Sequence, residues 1–367
     1  MKEEYSMKKL INSLAAAMLL PALASAWGFH DAMWNGTPVI CVTPKQSAMG
    51  GVWAVPSAEA ASVFLNPAEL SLLDGPQLNA SAAIIEWSAS IYGKLDFNQM
   101  DTGMGGGGTL AFAAPLAEKV SAGAGISRVS DFGFNGVSTV MEELGPQLYQ
   151  VYALRIMDAQ GSLWEANAGI SAELTDWLTA GFSGGLRFGS GSYEVRTDYV
   201  EQSLNDDTVG VDWETSEFCF HGGLLLPLSA GTFALSGTNG TCRYRSRLAL
   251  GFQREMEILS GSTMGLEFDV QSIDDNPAYS GRFFAYFSEM IPRVRSTYSV
   301  GFVRASDYHH TALCLGTGAR VDLGDADLDL GISWMSRSRQ GYVFPEPFID
   351  NIDDAGTYYS AGVSWKL

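Results

Sequence analysis

The chain is poor in the residues that build most catalytic and metal centres. It has only four His and four Cys in 367 residues. Cys41, Cys219, Cys242 and Cys314 are widely spaced and no CxxC occurs, which argues against a zinc cluster or a thioredoxin-type motif. Their disulfide state stays open. Cys219 and Cys314 sit among apolar residues and read as small fillers. Basic residues are also scarce, 22 Lys plus Arg against 41 Asp plus Glu, for a net charge of −19. Phosphate binding needs a basic face, so nucleic acid is excluded as a partner. After Gly36 there is no unbroken apolar run of the ~18 residues that a transmembrane helix requires.

Motifs that would signal an enzyme fail on context. Gly181-Phe182-Ser183-Gly184-Gly185 matches G-x-S-x-G, but a nucleophile elbow needs a strand-to-helix turn and this match lies within an alternating strand. The Gly105–Gly108 run lacks the Lys-Ser/Thr of a phosphate loop. His309 and His310 are adjacent and point to opposite faces of a strand. Asp322, Asp325, Asp327 and Asp329 read as solvated carboxylates at a turn, as do the acidic stretches 201–217 and 269–275. No enzyme activity, metal, cofactor or ATP is implied.

What is abundant is glycine, at 41 residues, and alternation. The last ten residues place Tyr359, Ala361, Val363, Trp365 and Leu367 on one side of an extended strand. Ser360, Gly362, Ser364 and Lys366 fall on the other. An aromatic–apolar outer face running to the final residue is how transmembrane β-barrels end. Similar runs recur at Ala166–Leu174, Leu178–Phe188, Met264–Val270 and Ala326–Trp334. Each has one apolar face about ten residues long, the length needed to cross a bilayer. The other face carries Gly and Ser with occasional charges.

Tight turns near 115–119, 174–177, 227–231 and 323–326 alternate with long polar segments near 98–107, 131–146, 190–216, 271–280 and 336–355. Short turns on one side and long loops on the other are the habit of outer-membrane barrels. The pattern predicts an all-β, antiparallel transmembrane barrel over 77–367, with about fourteen strands from 78–97 to 356–367. Residues 147–157 either extend the fourth strand or raise the count to sixteen. Trp177 and Trp365 fall at one rim. Trp164 and Trp334 fall one membrane thickness away.

Residues 1–26 have the order of a secretory signal: Lys8 and Lys9, an apolar stretch from Leu10 to Leu23, then Ala24-Ser25-Ala26. Residues 27–76 alternate poorly and are rich in small and apolar types. A barrel of this size has a lumen too wide for its own side chains to fill. The segment is therefore expected inside it, as a hatch. Pro67 fixes its own φ and biases Asn66 toward an extended conformation. The Asn66 side chain can then bond to nearby backbone, so Asn66, Pro67 and Ala68 are read as structural.

Ala48-Met49-Gly50-Gly51-Val52-Trp53-Ala54-Val55, followed by Ala60-Ala61-Ser62-Val63-Phe64-Leu65-Asn66-Pro67-Ala68-Glu69-Leu70, resembles the N-terminal hatch of the FadL-like family. These are outer-membrane transporters of long-chain fatty acids and aromatic hydrocarbons. The family's hatch has an Asn-Pro-Ala element here, and tends to have Gly where Glu69 stands. The secretion-accessory barrels of the PorV type share the hatch and strand count. The resemblance implies an outer-membrane location in a Gram-negative-type bacterium. It implies membrane lipids, lipopolysaccharide and the barrel-assembly machinery, through the last strand, as partners. A hydrophobic small molecule would diffuse passively past the hatch, with Phe64, Leu65 and Leu70 as candidate contacts. Exit would follow hatch displacement or a lateral gap beside the third strand, where Gly123 and Gly125 would weaken pairing. The alternative is a non-transporting secretion-accessory or binding platform.

Overall fold

A computed structural model describes residues 37–38, 42–92, 96–99, 103–145, 148–201, 205–256, 262–271, 278–291, 293–305, 311–342 and 349–367. The signal at 1–26, His30, Cys41 and the His309–His310 pair lie outside the described residues.

A two-residue strand β1 (Thr37–Pro38) precedes one short helix, α1 (Pro44–Ala48), and two 3-10 helices, η1 (Ala60–Phe64) and η2 (Pro67–Leu72). The other described elements are strands. The first part runs β2 (Gln77–Tyr92), β3 (Asp96–Gln99), β4 (Gly103–Ala117), β5 (Val120–Asp131), β6 (Phe134–Gly145), β7 (Leu148–Thr175), β8 (Leu178–Tyr199) and β9 (Asp207–Leu228). The second runs β10 (Gly231–Thr238), β11 (Arg247–Glu255), β12 (Thr263–Gln271), β13 (Ala278–Ile291), β14 (Val294–Ala305), β15 (Thr311–Asp322), β16 (Ala326–Tyr342) and β17 (Ile349–Lys366).

Fourteen of these close an antiparallel barrel. Its ring is β2–β4–β5–β7–β8–β9–β10 and on through β17, which returns to β2. The closing seam pairs the two ends of the chain, from Gln77↔Lys366 to Asn351↔Tyr92. β3 and β6 stand above the ring: β3 pairs with β2 and β6, and β6 pairs with Leu148–Ala159 of β7. Residues 148–157 thus lengthen the fourth barrel strand and add none to the count.

Alternation sorts the side chains as a membrane barrel requires. In β8, Phe182, Leu186 and Phe188 are exposed while Ser183 and Arg187 are buried. In β9, Phe218 and Phe220 point out and Cys219 and His221 point in. In β11, Leu248 and Leu250 point out and Arg247 and Ala249 point in. A continuous belt of exposed Phe and Leu is unfavourable in water and stable against lipid. At the short-turn rim Trp365 and Val363 pack on the outer wall against Leu78, Ala80 and Leu328.

Three details differ from the sequence reading. The polar stretches 131–146 and 190–216 are largely paired strand, so β7, β8 and β9 run 28, 22 and 22 residues and rise beyond the barrel as a wing. Their polar alternation, with Tyr193, Val195, Val209 and Val211 among the charges, still suits a sheet with water on its outer face. Second, Asp327 is buried at 8% exposure, and Asp269 and Asp329 are not solvated either. The latter two face the lumen at 2% and 3% exposure and pair with arginines. Third, Gly123 and Gly125 pair in register with both neighbours, Ala113 and Gly169, Ala111 and Asn167. The break in β5 comes later, between Arg128 and Ser130.

The outer wall gives a direct test. Leu250 lies between Leu235 and Phe268 in the ladder and is 53% exposed. Leu250→Arg is expected to destabilise the barrel by about 2–4 kcal/mol when refolded into lipid vesicles. Urea titration followed by heat-modifiable gel mobility measures it. An unchanged midpoint would mean that this face does not meet lipid.

Candidate functional site: the hatch in the lumen

The hatch is held together by its own polar side chains. Thr43 caps α1 by accepting from the Gln46 N–H at 3.2 Å. Gln46 then donates from Nε2 to Val52 O at 2.5 Å and accepts from Val42 N at 2.7 Å. Gly50 and Gly51 turn the chain at φ of 78° and 82°, a region that favours glycine. Asn66 caps η2, accepting from Ala68 N at 3.2 Å, while its Nδ2 donates to Ala54 O at 2.9 Å. Pro67 fills the first helical position, where no N–H is needed. Asn66, Pro67 and Ala68 thus form a corner that ties two hatch segments together. That corner rests against the wall at Gly181 and Gly223. A Cβ at Gly181 would collide with Ala68 N and Pro67 C, and one at Gly223 with the Asn66 amide.

The wall holds the hatch unevenly. From β8 round to β2 polar bonds hold it, beside apolar packing on Leu225, Ala234, Ala249 and Phe284. Ser183 Oγ donates to Val63 O at 2.7 Å, so the G-x-S-x-G serine is a hatch anchor within a strand. Ser299 Oγ donates to Ala48 O at 2.7 Å and Ser81 Oγ to Val42 O at 2.8 Å. Arg282 Nε donates to Gly50 O at 2.6 Å, and Arg320 pairs with Glu59. Most concentrated is Glu267, whose buried carboxylate accepts from three successive amides: Trp53 N at 2.8 Å, Ala54 N at 2.7 Å and Val55 N at 3.1 Å.

On the opposite side the contact is apolar. Among the described residues β1 pairs with β5, and no hydrogen bond joins α1, η1 or η2 to β4, β5 or β7. Here η1 packs on β4 and β5, and η2 on β7 and β8. Phe64, Leu65 and Leu70, the candidate contacts, are all buried in one cluster with Ala111, Ala113, Val129, Phe132 and Leu163. Gly125 makes room for Phe64, whose Cε2 would stand 2.9 Å from an added Cβ. Burying Phe64 and Leu70 is worth ~1.5–3 kcal/mol each. Beside them the wall ladder stops. The last β4–β5 pair is Thr109↔Ser127; above it β4 pairs with β2 alone. The gap is bridged by side chains, with Arg128 Nη1 donating to Gly106 O at 2.9 Å and Gly106 N donating to Asp131 Oδ2 at 3.3 Å. Thr37 and Pro38 pair with Asp131 and Ser130 at the same place.

Lumen arginines are neutralised by carboxylates: Arg187 by Glu165, Arg247 and Arg282 by Asp269, Arg320 by Asp329, Arg128 by Asp131. Trp53 lies between His221, 6.5 Å away and stacked, and the Arg247 guanidinium 4.4 Å over its ring. Sequence reading missed this network. Its signal was the charges on the otherwise small, polar strand face, which carry no partner information in one dimension.

Two titratable groups belong to the hatch. Burial raises the Glu69 carboxyl to about 8, although Ser57 and Ser62 both donate to it. Burial, with Arg320 nearby, lowers Lys45 to about 8; its Nζ donates to Ser57 O at 2.6 Å.

No protein-family model and no curated protein matches the chain. Solved structures do. A FadL homologue from Pseudomonas aeruginosa superposes with a TM-score of 0.62 at 10% identity, covering 95% of this chain and 99% of that one. The toluene transporter TodX of Pseudomonas putida gives 0.65 at 12%, over 91% and 99%. The Ralstonia pickettii toluene transporter TbuX gives 0.57 at 12%, over 91% and 99%. This is the fold of the FadL-like barrels.

Two outcomes are expected at the hatch. Glu267→Gln keeps the shape but weakens the charge-assisted bonds, loosening the 53–55 segment by about 1–3 kcal/mol. Hydrogen exchange at the Trp53, Ala54 and Val55 amides should quicken while the wall amides stay protected. Equal exchange would remove Glu267 from the latch. Seating should also depend on pH. The Glu69 contribution is full below about 4.5 and lost as pH rises to about 8. The Lys45 contribution is full above about 10.5 and lost as pH falls to about 8. Protection at the Ser57 amide, corrected for intrinsic exchange, should therefore pass through a minimum near pH 8. Glu69→Gln should flatten the acid side, and a minimum that survives it would assign the effect elsewhere.

Proposed function

We propose that the protein is an outer-membrane channel for uncharged hydrophobic small molecules, which pass by diffusion between the hatch and the β4–β5–β7 wall. The observation that supports this most is the two-sided seating of the hatch. Its polar anchors hold it to β8–β16 and β2, while η1 and η2 meet β4, β5 and β7 through apolar side chains. A hydrophobic ligand can replace apolar contacts there without leaving polar groups unpaired. Phe64, Leu65 and Leu70 then touch the ligand. The seam above Thr109↔Ser127, bridged by Arg128 and Asp131, is the exit toward the bilayer.

The charge pattern favours neutral cargo. Arg128, Arg187, Arg247, Arg282 and Arg320 each already have a carboxylate. A fatty-acid headgroup would have to displace one of these partners in a lumen already rich in carboxylates. The similarity to toluene transporters supports aromatic hydrocarbons as the class to try first.

A second reading, an outer-membrane platform that binds other molecules through its wing, draws on one feature. The wing carries a groove of about 630 Å³ lined by Gln160, Ser192, Asp212, Trp213 and Glu214.

Uptake of radiolabelled toluene and of a long-chain fatty acid by cells with and without the protein separates the readings. Toluene entry should rise with the protein, more than fatty-acid entry. Phe64→Glu should lower it at least about tenfold, corresponding to ~1.4 kcal/mol of added barrier. No dependence of either cargo on the protein would favour the platform.

A further inference from the structure

Inside the wall, away from the apolar route, three different metal-ligating groups meet. Glu165 and Asn167 come from β7, and Cys219 and His221 from β9. Ligand atoms of Glu165, Cys219 and His221 all lie within 4.8 Å of one another, and all three residues are buried. β8 lies between these strands, and the ladder runs Asn167↔Gly185↔Cys219. Any side chain at Gly185 would collide with the Asn167 amide, so the glycine lets residues two strands apart reach each other.

We infer that Glu165, Cys219 and His221 bind one borderline-soft divalent cation, of which Zn²⁺ is the type, between β7 and β9. Imidazole nitrogen, thiolate sulfur and carboxylate oxygen form a zinc donor set, and thiolate disfavours Mg²⁺ or Ca²⁺. The supporting groups are in place. Arg187 Nε donates to Glu165 Oε2 at 2.5 Å, orienting the carboxylate so that Oε1 faces His221 Nε2 at 2.6 Å. Such outer contacts fix the angle of a ligating group. Asn167 donates from Nδ2 to Glu165 Oε1 at 2.5 Å, and its Oδ1 accepts from Cys219 Sγ at 3.1 Å.

Metal binding releases the Cys219 thiol proton to solvent, and the thiolate together with the Glu165 carboxylate offsets the two charges of the cation, which lowers the penalty on burying it. Because His221 stacks against Trp53, the metal would also stiffen one side of the hatch seat. The site stands independently of the transport reading.

The test is the full chain refolded into detergent with Co²⁺ in place of zinc. Wild type should bind one equivalent and show a thiolate-to-cobalt charge-transfer band. Cys219→Ser should lose that band, and His221→Gln should weaken Co²⁺ binding at least about tenfold. Heat-modifiable mobility certifies folding, and His221→Gln serves alone if the serine variant does not fold. A wild-type protein without the band overturns the proposal. So does a band whose strength and affinity persist in the variants, since Cys242 or another thiol would then be the ligand.

Discussion

The seam between β2 and β17 is the constraint on which the rest of the molecule depends. Hydrocarbon offers no hydrogen bonds, so each backbone N–H and C=O inside it must find a partner within the protein. A sheet meets that demand only when its first and last strands pair. Here the pairing runs the length of β2, from Gln77↔Lys366 to Asn351↔Tyr92. Once the ring is closed, strand number sets its width, and fourteen strands leave a bore that inward side chains cannot fill. The hatch is a consequence of closure. So are the small residues of the lumen face, since η2 can lie against β8 and β9 only where Gly181 and Gly223 carry no side chain.

Filling a wide bore with backbone brings a second problem. The described part of the hatch has only short helices, which leave amides and carbonyls for the wall to pair. The wall supplies them: Glu267 for the amides of 53–55, and Ser81, Ser183 and Ser299 for carbonyls. Where the hatch presents apolar side chains, the wall answers with Ala111, Ala113 and Leu163. Polar contacts are directional and costly to break one at a time, whereas apolar contacts can slide. Anchored and slippery sides of one plug therefore follow from ordinary side-chain chemistry.

Much of this was legible in one dimension. Phe182, Leu186 and Phe188 against Ser183 and Arg187 announce a membrane strand, because period two and apolar–polar sorting are local properties. The strand count was readable for the same reason, and so was the assignment of residues 148–157 to the fourth strand as one of two options. The wing was not: Tyr193, Val195, Val209 and Val211 sit among enough charge to resemble loop. Asp269 and Asp329 resembled solvated acids because Arg247 and Arg320 lie 22 and 9 residues away, and only the ladder brings them together. The Glu267 latch was hidden likewise, since its amides are 214 to 212 residues distant. Gly123 and Gly125 were visible but misassigned: they serve a close approach to the hatch, not a weak ladder.

The buried ion pairs are best understood as devices for position. Removing a carboxylate and a guanidinium from water costs about as much as their attraction returns, so such pairs add little net stability. They do make misplacement expensive, because a shift of the hatch would strand a charge in the lumen. Asp269 shows the logic. It pairs with Arg247, which lies over Trp53, and with Arg282, which holds Gly50 O. Moving Trp53 or Gly50 therefore disturbs a shared carboxylate. On the β4–β5–β7 side the described hatch contacts are apolar packing by η1 and η2 and the short β1–β5 pairing, and Arg128 and Asp131 there bind strand to strand. A plug fixed by charge on one side and free of it on the other has its softest boundary where the wall ladder is broken, and that coincidence makes the gap between β4 and β5 the place where a hydrophobic guest disturbs the least structure.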